Sequence, residues 1–215
     1  GKKKWVQHLF INPKAVPAVA SDFLFQNQDY MTIIGDMPHP VLSMNIIPAA
    51  IDCSLYQDVS PAGSDILWVG RPTDAKGWGV LKELIAVLPE FNFRVVMGSE
   101  EVATREVAHA TRNVACFFQQ TRTQMIEHYR ASIYLSTSQS EALPRAFMES
   151  LACGLFPVVS KTGRMQEYVC GLRGAACETA EDYIRAIRNG SVVVPRMLKE
   201  YARKEFDIRR WIKEI

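Results

Sequence analysis

Between about residue 65 and residue 188, short continuous apolar runs alternate with apolar positions at helical spacing. Ile66-Leu67-Trp68-Val69 is such a run, closed by Gly70, as expected of a strand buried on both faces. Val80, Leu81, Leu84, Ile85 and Leu88 follow one turn apart, and Pro89 stops the pattern, which predicts a helix. Phe93-Arg94-Val95-Val96-Met97 predicts a second strand ending at Gly98, and a helix is predicted over 101–110. Strands over 113–118, 133–135 and 156–160 alternate with helices over 124–130, 146–153 and 180–188. Such alternation through short loops implies parallel strands joined by right-handed crossovers. The predicted fold is α/β: a Rossmann-like parallel sheet with helices on both faces.

The two ends read differently. Residues 16–20, 31–34 and 41–47 have strand character but are interrupted by Pro13, Pro17, Pro38 and Pro40. Residues 1–45 therefore read as the closing segment of another unit or a lead-in, and 46–195 as the main domain. Residues 196–215 form a predicted carboxy-terminal amphipathic helix, bent near Asp207. Its apolar face carries Leu198, Tyr201, Phe206 and Trp211, and its basic face Lys199, Arg203, Lys204 and Arg210. A packed helix with a solvated face is the ordinary reading of that pattern. The same pattern fits an anionic membrane surface, which leaves peripheral membrane contact open.

Composition narrows the classes. The length of 215 residues suits one large domain, or one domain and a fragment. A hydrophobic content of 48% excludes a disordered chain, and a net charge of +2 argues against bulk nucleic-acid binding. No apolar run approaches the roughly 20 residues that span a bilayer. The opening Gly-Lys-Lys-Lys has no apolar stretch after it, so it is not a secretion signal, and the missing Met suggests a cut piece or an expression scar. Cys53, Cys116, Cys153, Cys170 and Cys177 are scattered without a Cys-x-x-Cys pair. That favours reduced thiols in a cytoplasmic protein and argues against zinc. His8, His39, His109 and His128 are dispersed and read as structural, with His128 suited at most to bracing a loop.

Two loops hold residues suited to chemistry. Gly70-Arg71-Pro72-Thr73-Asp74-Ala75-Lys76-Gly77 follows the first predicted strand and opens a helix. It has neither a dinucleotide fingerprint nor a P-loop. It does place two cations, Arg71 and Lys76, where loops leave the sheet, and a guanidinium with an ammonium suits a diphosphate. A solvated loop is the plain alternative. The second loop, Ser138 to Glu149, opens a helix with Pro144 suited to its first turn. The free amides of Leu143, Arg145 and Ala146 would face an anion there. Glu141 lies in the loop and Glu149 inside the helix, where an acid beside a nucleotide can accept ribose hydroxyls. On spacing alone, a dipole partner and a surface acid explain the two carboxylates as well.

Val-Gly-Arg-x₄-Lys-Gly (69–77), Val-Val-Met-Gly-Ser (95–99) and Tyr-Leu-Ser-Thr-Ser-x-Ser-Glu-Ala-Leu-Pro-Arg-Ala-x-Met-Glu-Ser-Leu-Ala-Cys-Gly (134–154) occur in that order, after Ile47-Pro48-Ala49-Ala50-Ile51-Asp52. The series resembles the donor-binding half of retaining GT-B glycosyltransferases of family 4, a group that includes bacterial polysaccharide and lipopolysaccharide transferases. The resemblance implies one GT-B half-domain that binds a UDP-, GDP- or ADP-sugar without metal or other cofactor. It implies that Arg71 and Lys76 hold the diphosphate, that Glu141 contacts hydroxyls of the transferred sugar, and that Glu149 binds the ribose. It likewise implies that Leu143, Pro144, Arg145 and Ala146 present the helix start. Gly70 closes the strand, Gly98 lets the donor approach the sheet, and the base rests near Phe118–Gln120. Arg71, Lys76 and Glu141 are the expected catalytic set.

Three positions depart from the family pattern: Ala49-Ala50 replaces a Gly-bearing turn, Gly163-Arg164 replaces Gly-Gly, and Ala142 replaces a common Gly. The acceptor, a glycan or lipid-linked hydroxyl, would sit on an N-terminal domain of which 1–45 supplies only the end. The carboxy-terminal helix resembles the segment that returns to brace that domain. A cytoplasmic site, at the inner face of a membrane where the acceptor is lipid-linked, follows from the resemblance. A non-catalytic nucleotide-binding or interaction module of the same fold is the alternative.

Overall fold

Two short strands near the amino end, β1 (Asp22–Phe25) and β2 (Ser43–Ile46), pair in parallel as a sheet of their own. The main sheet has six parallel strands: β3 (Ile66–Val69), β4 (Phe93–Met97), β5 (Val114–Phe118), β6 (Ile133–Ser136), β7 (Phe156–Ser160) and β8 (Ala175–Cys177). Their order across the sheet is β5-β4-β3-β6-β7-β8. The computed structural model describes residues 22–25, 43–46, 50–99, 112–139, 141, 143–162, 165–172, 174–190 and 195–212. The strands predicted over 16–20 and 31–34 and the helix over 101–110 lie outside these residues.

The helices are α1 (Trp78–Val87), α2 (Arg122–His128), α3 (Arg145–Cys153), α4 (Met165–Gly171), α5 (Ala180–Asn189), α6 (Pro195–Phe206) and α7 (Ile208–Ile212). The period of two along the strands sorts their side chains between two cores. Ile66, Trp68, Phe93, Val95 and Leu135 join the side covered by α1 and α5, through Leu81, Leu84 and Ile187. Leu67, Val96, Tyr134 and Val159 join the side covered by α3 and α6, through Phe147, Leu151 and Phe206. The expectation of helices on both faces is met.

Local chemistry explains the element ends. Thr121 and Gln124 make reciprocal bonds at the start of α2, and Thr179 and Asp182 do so at the start of α5. The Asn113 amide donates to the carbonyls of Ile85, Leu88 and Phe91 at 3.1, 3.2 and 3.2 Å, closing the end of α1. The bend predicted at Asp207 is a β-bridge: Ile51 N–H donates to Phe206 O and Ile208 N–H to Ile51 O, both at 2.9 Å. The carboxy-terminal segment is thus two helices rather than one, and α6 packs on α3 with Leu198, Ala202 and Phe206 buried.

Candidate functional site

The chain runs from β3 outward to β5, then returns to lay β6 on the other side of β3. Loops leaving β3 and β6 therefore diverge, opening the crevice where ligands bind in open α/β sheets. Both loops singled out by their cations and carboxylates lie at this point. They are held together by backbone contacts. Gln139 N–H donates to Ala75 O at 2.9 Å. Thr137 Oγ1 donates to Lys76 O at 2.8 Å and accepts from Trp68 Nε1 at 3.0 Å. Gly77 sits at φ +64°, and a Cβ there would overlap the Thr137 carbonyl, so the loops approach as closely as only glycine permits. The Ser138 carbonyl accepts from Ser160 Oγ at 2.5 Å and Thr162 Oγ1 at 2.8 Å, tying in the loop after β7.

Arg71 and Lys76 line one cavity of about 300 Å³ together with Gly70 and Gly98, at the small end of the range for ligand pockets. Val69, Val96 and Met97 contribute apolar surface, and Gln119, Gln120 and Met125 also line it. A Cβ built on Gly98 meets no atom within 4 Å, so the cavity is open over that residue. Lys76 Nζ is in direct contact with Glu141 Oε1, both largely shielded from solvent, and Ser138 Oγ donates to the same oxygen at 3.3 Å. Burial and the neighbouring Arg71 charge lower the Lys76 pKa; the carboxylate against it opposes them. The three side chains form a +, +, − cluster with one net positive charge, suited to an anion.

The start of α3 differs in detail from the sequence expectation. Pro144 is the cap, with extended backbone at φ −65° and ψ 140°, and the helix begins at Arg145 rather than with Pro144 in its first turn. Leu143 and Ala146 pack against the core beneath α3. Glu149 is buried, not a surface acid. Its Oε2 accepts from Tyr129 Oη at 2.6 Å and its Oε1 from Arg145 Nε at 3.0 Å. Burial and this carboxylate push the Tyr129 phenol well above its ordinary pKa, so it stays a donor. Of the predicted residues, Gly70, Arg71, Lys76 and Gly98 line the cavity, and Glu141 reaches it through Lys76. Glu149 and Leu143 to Ala146 are outside its lining. Ala142, Gly163 and Arg164 are outside the described residues.

Sequence reasoning placed the base near Phe118–Gln120 through the resemblance and allowed His128 at most to brace a loop, but did not give the arrangement after β5. Gln119 adopts φ +50°, rare for a residue with a side chain. Gln120 Nε2 donates to Phe118 O at 2.8 Å, and its Oε1 lies 3.1 Å from His128 Nε2. The His128 ring packs against Phe117, centroids 4.4 Å apart. The only legible signal was a histidine eight residues after a glutamine, with α2 between them. Among the described residues no group of three metal-ligating side chains lies together, and no helix is long and apolar enough to cross a membrane. All five cysteines are free thiols.

The fold is shared with proteins of solved structure. Sucrose-phosphate synthase of Thermosynechococcus elongatus superposes with a TM-score of 0.75 at 16% identity, over 94% of this chain and 58% of its own. Anabaena HepE in complex with UDP and glucose gives 0.73 at 18% identity, over 98% and 70%. The pneumococcal O-GlcNAc transferase GtfA, in complex with UDP and GlcNAc, gives 0.67 at 16% identity, over 91% and 44%. The chain spans less than two thirds of the length of GtfA and of the sucrose-phosphate synthase. No curated protein sequence matches the chain significantly. The model of the family "Glycosyl transferases group 1" matches residues 61–204, from just before β3 to near the end of α6. That match takes in the whole six-stranded sheet and both loops of the crevice, and the chain belongs to the glycosyl transferases group 1 family.

Proposed function

We propose that the chain is the nucleotide-diphosphate-sugar-binding half of a retaining, metal-independent glycosyltransferase that moves a hexosyl unit to a hydroxyl of a glycan or lipid-linked acceptor. The observation that carries this reading is the convergence of Arg71 and Lys76 on one cavity at the sheet's switch point. The cavity continues to Gln119 and Gln120, so a diphosphate at the cations leaves room for a base beyond. UDP is the first donor nucleotide to test, because GtfA and HepE were both captured with it.

In this reading the bond from the sugar C1 to the diphosphate oxygen breaks, and a bond from C1 to the acceptor oxygen forms on the same face. The acceptor proton passes to the departing phosphate. Arg71 and Lys76 stabilise the charge that develops on the leaving diphosphate, the usual main term in such chemistry. Glu141 holds Lys76 in place and meets the sugar hydroxyls. Glu149 has one oxygen occupied by Tyr129, so the oxygen now facing Arg145 is the one for the ribose. Covalent glycosyl-enzyme intermediates form on carboxylates, and Glu141 is already engaged by Lys76 and Ser138, which suits same-face attack better than a covalent intermediate. The acceptor would bind on the part of the enzyme that lies beyond these strands.

Calorimetric titration of the 215-residue chain with UDP, GDP and ADP tests the reading. Binding that weakens at least tenfold in Arg71→Ala and in Lys76→Met supports it. Binding unmoved by either change removes the cations from the site.

A further inference from the structure

The loop after β5 contains a side-chain relay that the donor reading does not use. Gln120 lines the cavity, and its amide is held at both ends. The Nε2 group donates to Phe118 O at 2.8 Å, which fixes the amide's orientation and leaves Oε1 facing His128 Nε2 at 3.1 Å. Oε1 can only accept, so His128 carries its proton on Nε2 and donates. The ring is then a neutral imidazole with an unprotonated Nδ1. Among the described residues that atom has no hydrogen-bond partner, and the His128 residue is only 5% exposed. A buried polar atom without a partner destabilises the fold, and a phenylalanine or leucine would avoid that cost. Phe117 packs against the ring at an interplanar angle of 59°, and Arg94 donates to the backbone carbonyl of the adjacent Glu127 at 3.3 Å. The ring is therefore clamped with its donor aimed at Gln120.

The strained backbone beside it gives the clamp a purpose. Gln119 is held at φ +50°, a left-handed conformation that is unfavourable for a residue with a Cβ. Its N–H donates to Met97 O at 3.0 Å, and both Gln119 and Gln120 face the cavity. Backbone held in such a conformation persists only when its surroundings fix it.

We infer that His128, acting through Gln120, positions the Gln119–Gln120 main chain against the nucleobase of a bound nucleoside diphosphate and so sets base preference. His128 is a positioning residue and does not touch the ligand. The inference rests on the donor reading of the cavity, and the test separates the two.

The test titrates the 215-residue chain with UDP, GDP, ADP and inorganic pyrophosphate. The variants are His128→Phe, which keeps an aromatic ring against Phe117 without the donor, and His128→Gln, which restores a donor. In His128→Phe the best-bound nucleoside diphosphate weakens about tenfold and the spread among the three bases narrows, while pyrophosphate changes less than about twofold. His128→Gln recovers part of the base preference. Gln120→Ala, at a partly buried position, gives the same pattern as His128→Phe. Pyrophosphate affinity falling in step with the nucleotides in both Phe and Ala variants overturns the relay, and so does an unmoved ratio among the bases. A wild-type chain that binds pyrophosphate but no nucleoside diphosphate overturns the donor reading and the relay with it.

Discussion

Replacing Lys76 by methionine keeps the length and apolar stem of the side chain and removes its charge. At about 4 Å from a phosphate oxygen, one unit charge is worth about 4 kcal/mol at an effective dielectric constant near 20. Lys76 is 26% exposed, and discounting by half for that solvent access leaves about 2 kcal/mol. That is about a 30-fold loss of nucleoside diphosphate affinity. The loss has a second source, because Glu141 is left facing the ligand without its partner. Lys76→Met combined with Glu141→Gln should therefore bind better than Lys76→Met alone. The two changes do not add, as expected for groups in contact. Glu141→Gln alone frees the ammonium and tightens UDP several-fold. Titration calorimetry at low and at high salt measures all four proteins, with uridine as the uncharged control. Lys76→Met that binds UDP as wild type, or that loses uridine as severely as UDP, would refute the electrostatic reasoning.

Three further outcomes are expected. Gly98→Val places its side chain in open space at ordinary φ, so the melting temperature should hold while nucleoside diphosphate affinity drops more than about tenfold; an unaltered affinity puts the ligand elsewhere. Gly77→Ala adds a Cβ at φ +64° against the Thr137 carbonyl and should cost about 3 kcal/mol or more in urea unfolding; a loss under about 1 kcal/mol means the two loops are not joined as described. Burial, then the Arg94 charge, hold His128 below its ordinary 6.5, against a smaller opposing contribution from Glu127. On acidification the unfolded chain takes that proton first, so stability present above 6.5 is lost as pH falls from 6.5 through the folded value. His128→Gln should show a shallower stability difference between about pH 7.5 and about pH 5.5 than wild type, and equal slopes would exclude the ring as the source.

The alternating strands and helices were legible because β3, β4, β6 and β7 are largely apolar runs, and Gly70, Gly98 and Gly163 closely follow three of them. Strand β8 escaped because Ala175-Ala176-Cys177 has neither length nor branched side chains to mark it. Helix α1 begins earlier than its apolar spacing predicts, because Trp78 turns inward onto Trp68, ring centroids 5.8 Å apart. The carboxy-terminal helix was legible as amphipathic, and its bend at Asp207 was anticipated, but the pairing with Ile51 spans the whole domain and leaves no local trace. In the site, Arg71 and Lys76 announced themselves as cations at a strand end. Glu149 did not, because its burial depends on Tyr129, which arrives from the segment after α2. His128 was legible only as a residue that could brace a loop; its pairing with Gln120 was not, because the geometry depends on a left-handed residue, Gln119, whose identity gives no hint of that conformation.

A crystal structure of the chain with UDP bound tests the central claim most directly. The account predicts the diphosphate between the Arg71 guanidinium and the Lys76 ammonium, with the uracil ring against the Gln119–Gln120 backbone. A nucleotide found away from the crevice between the loops after β3 and β6, or one whose phosphates contact neither cation, would contradict it.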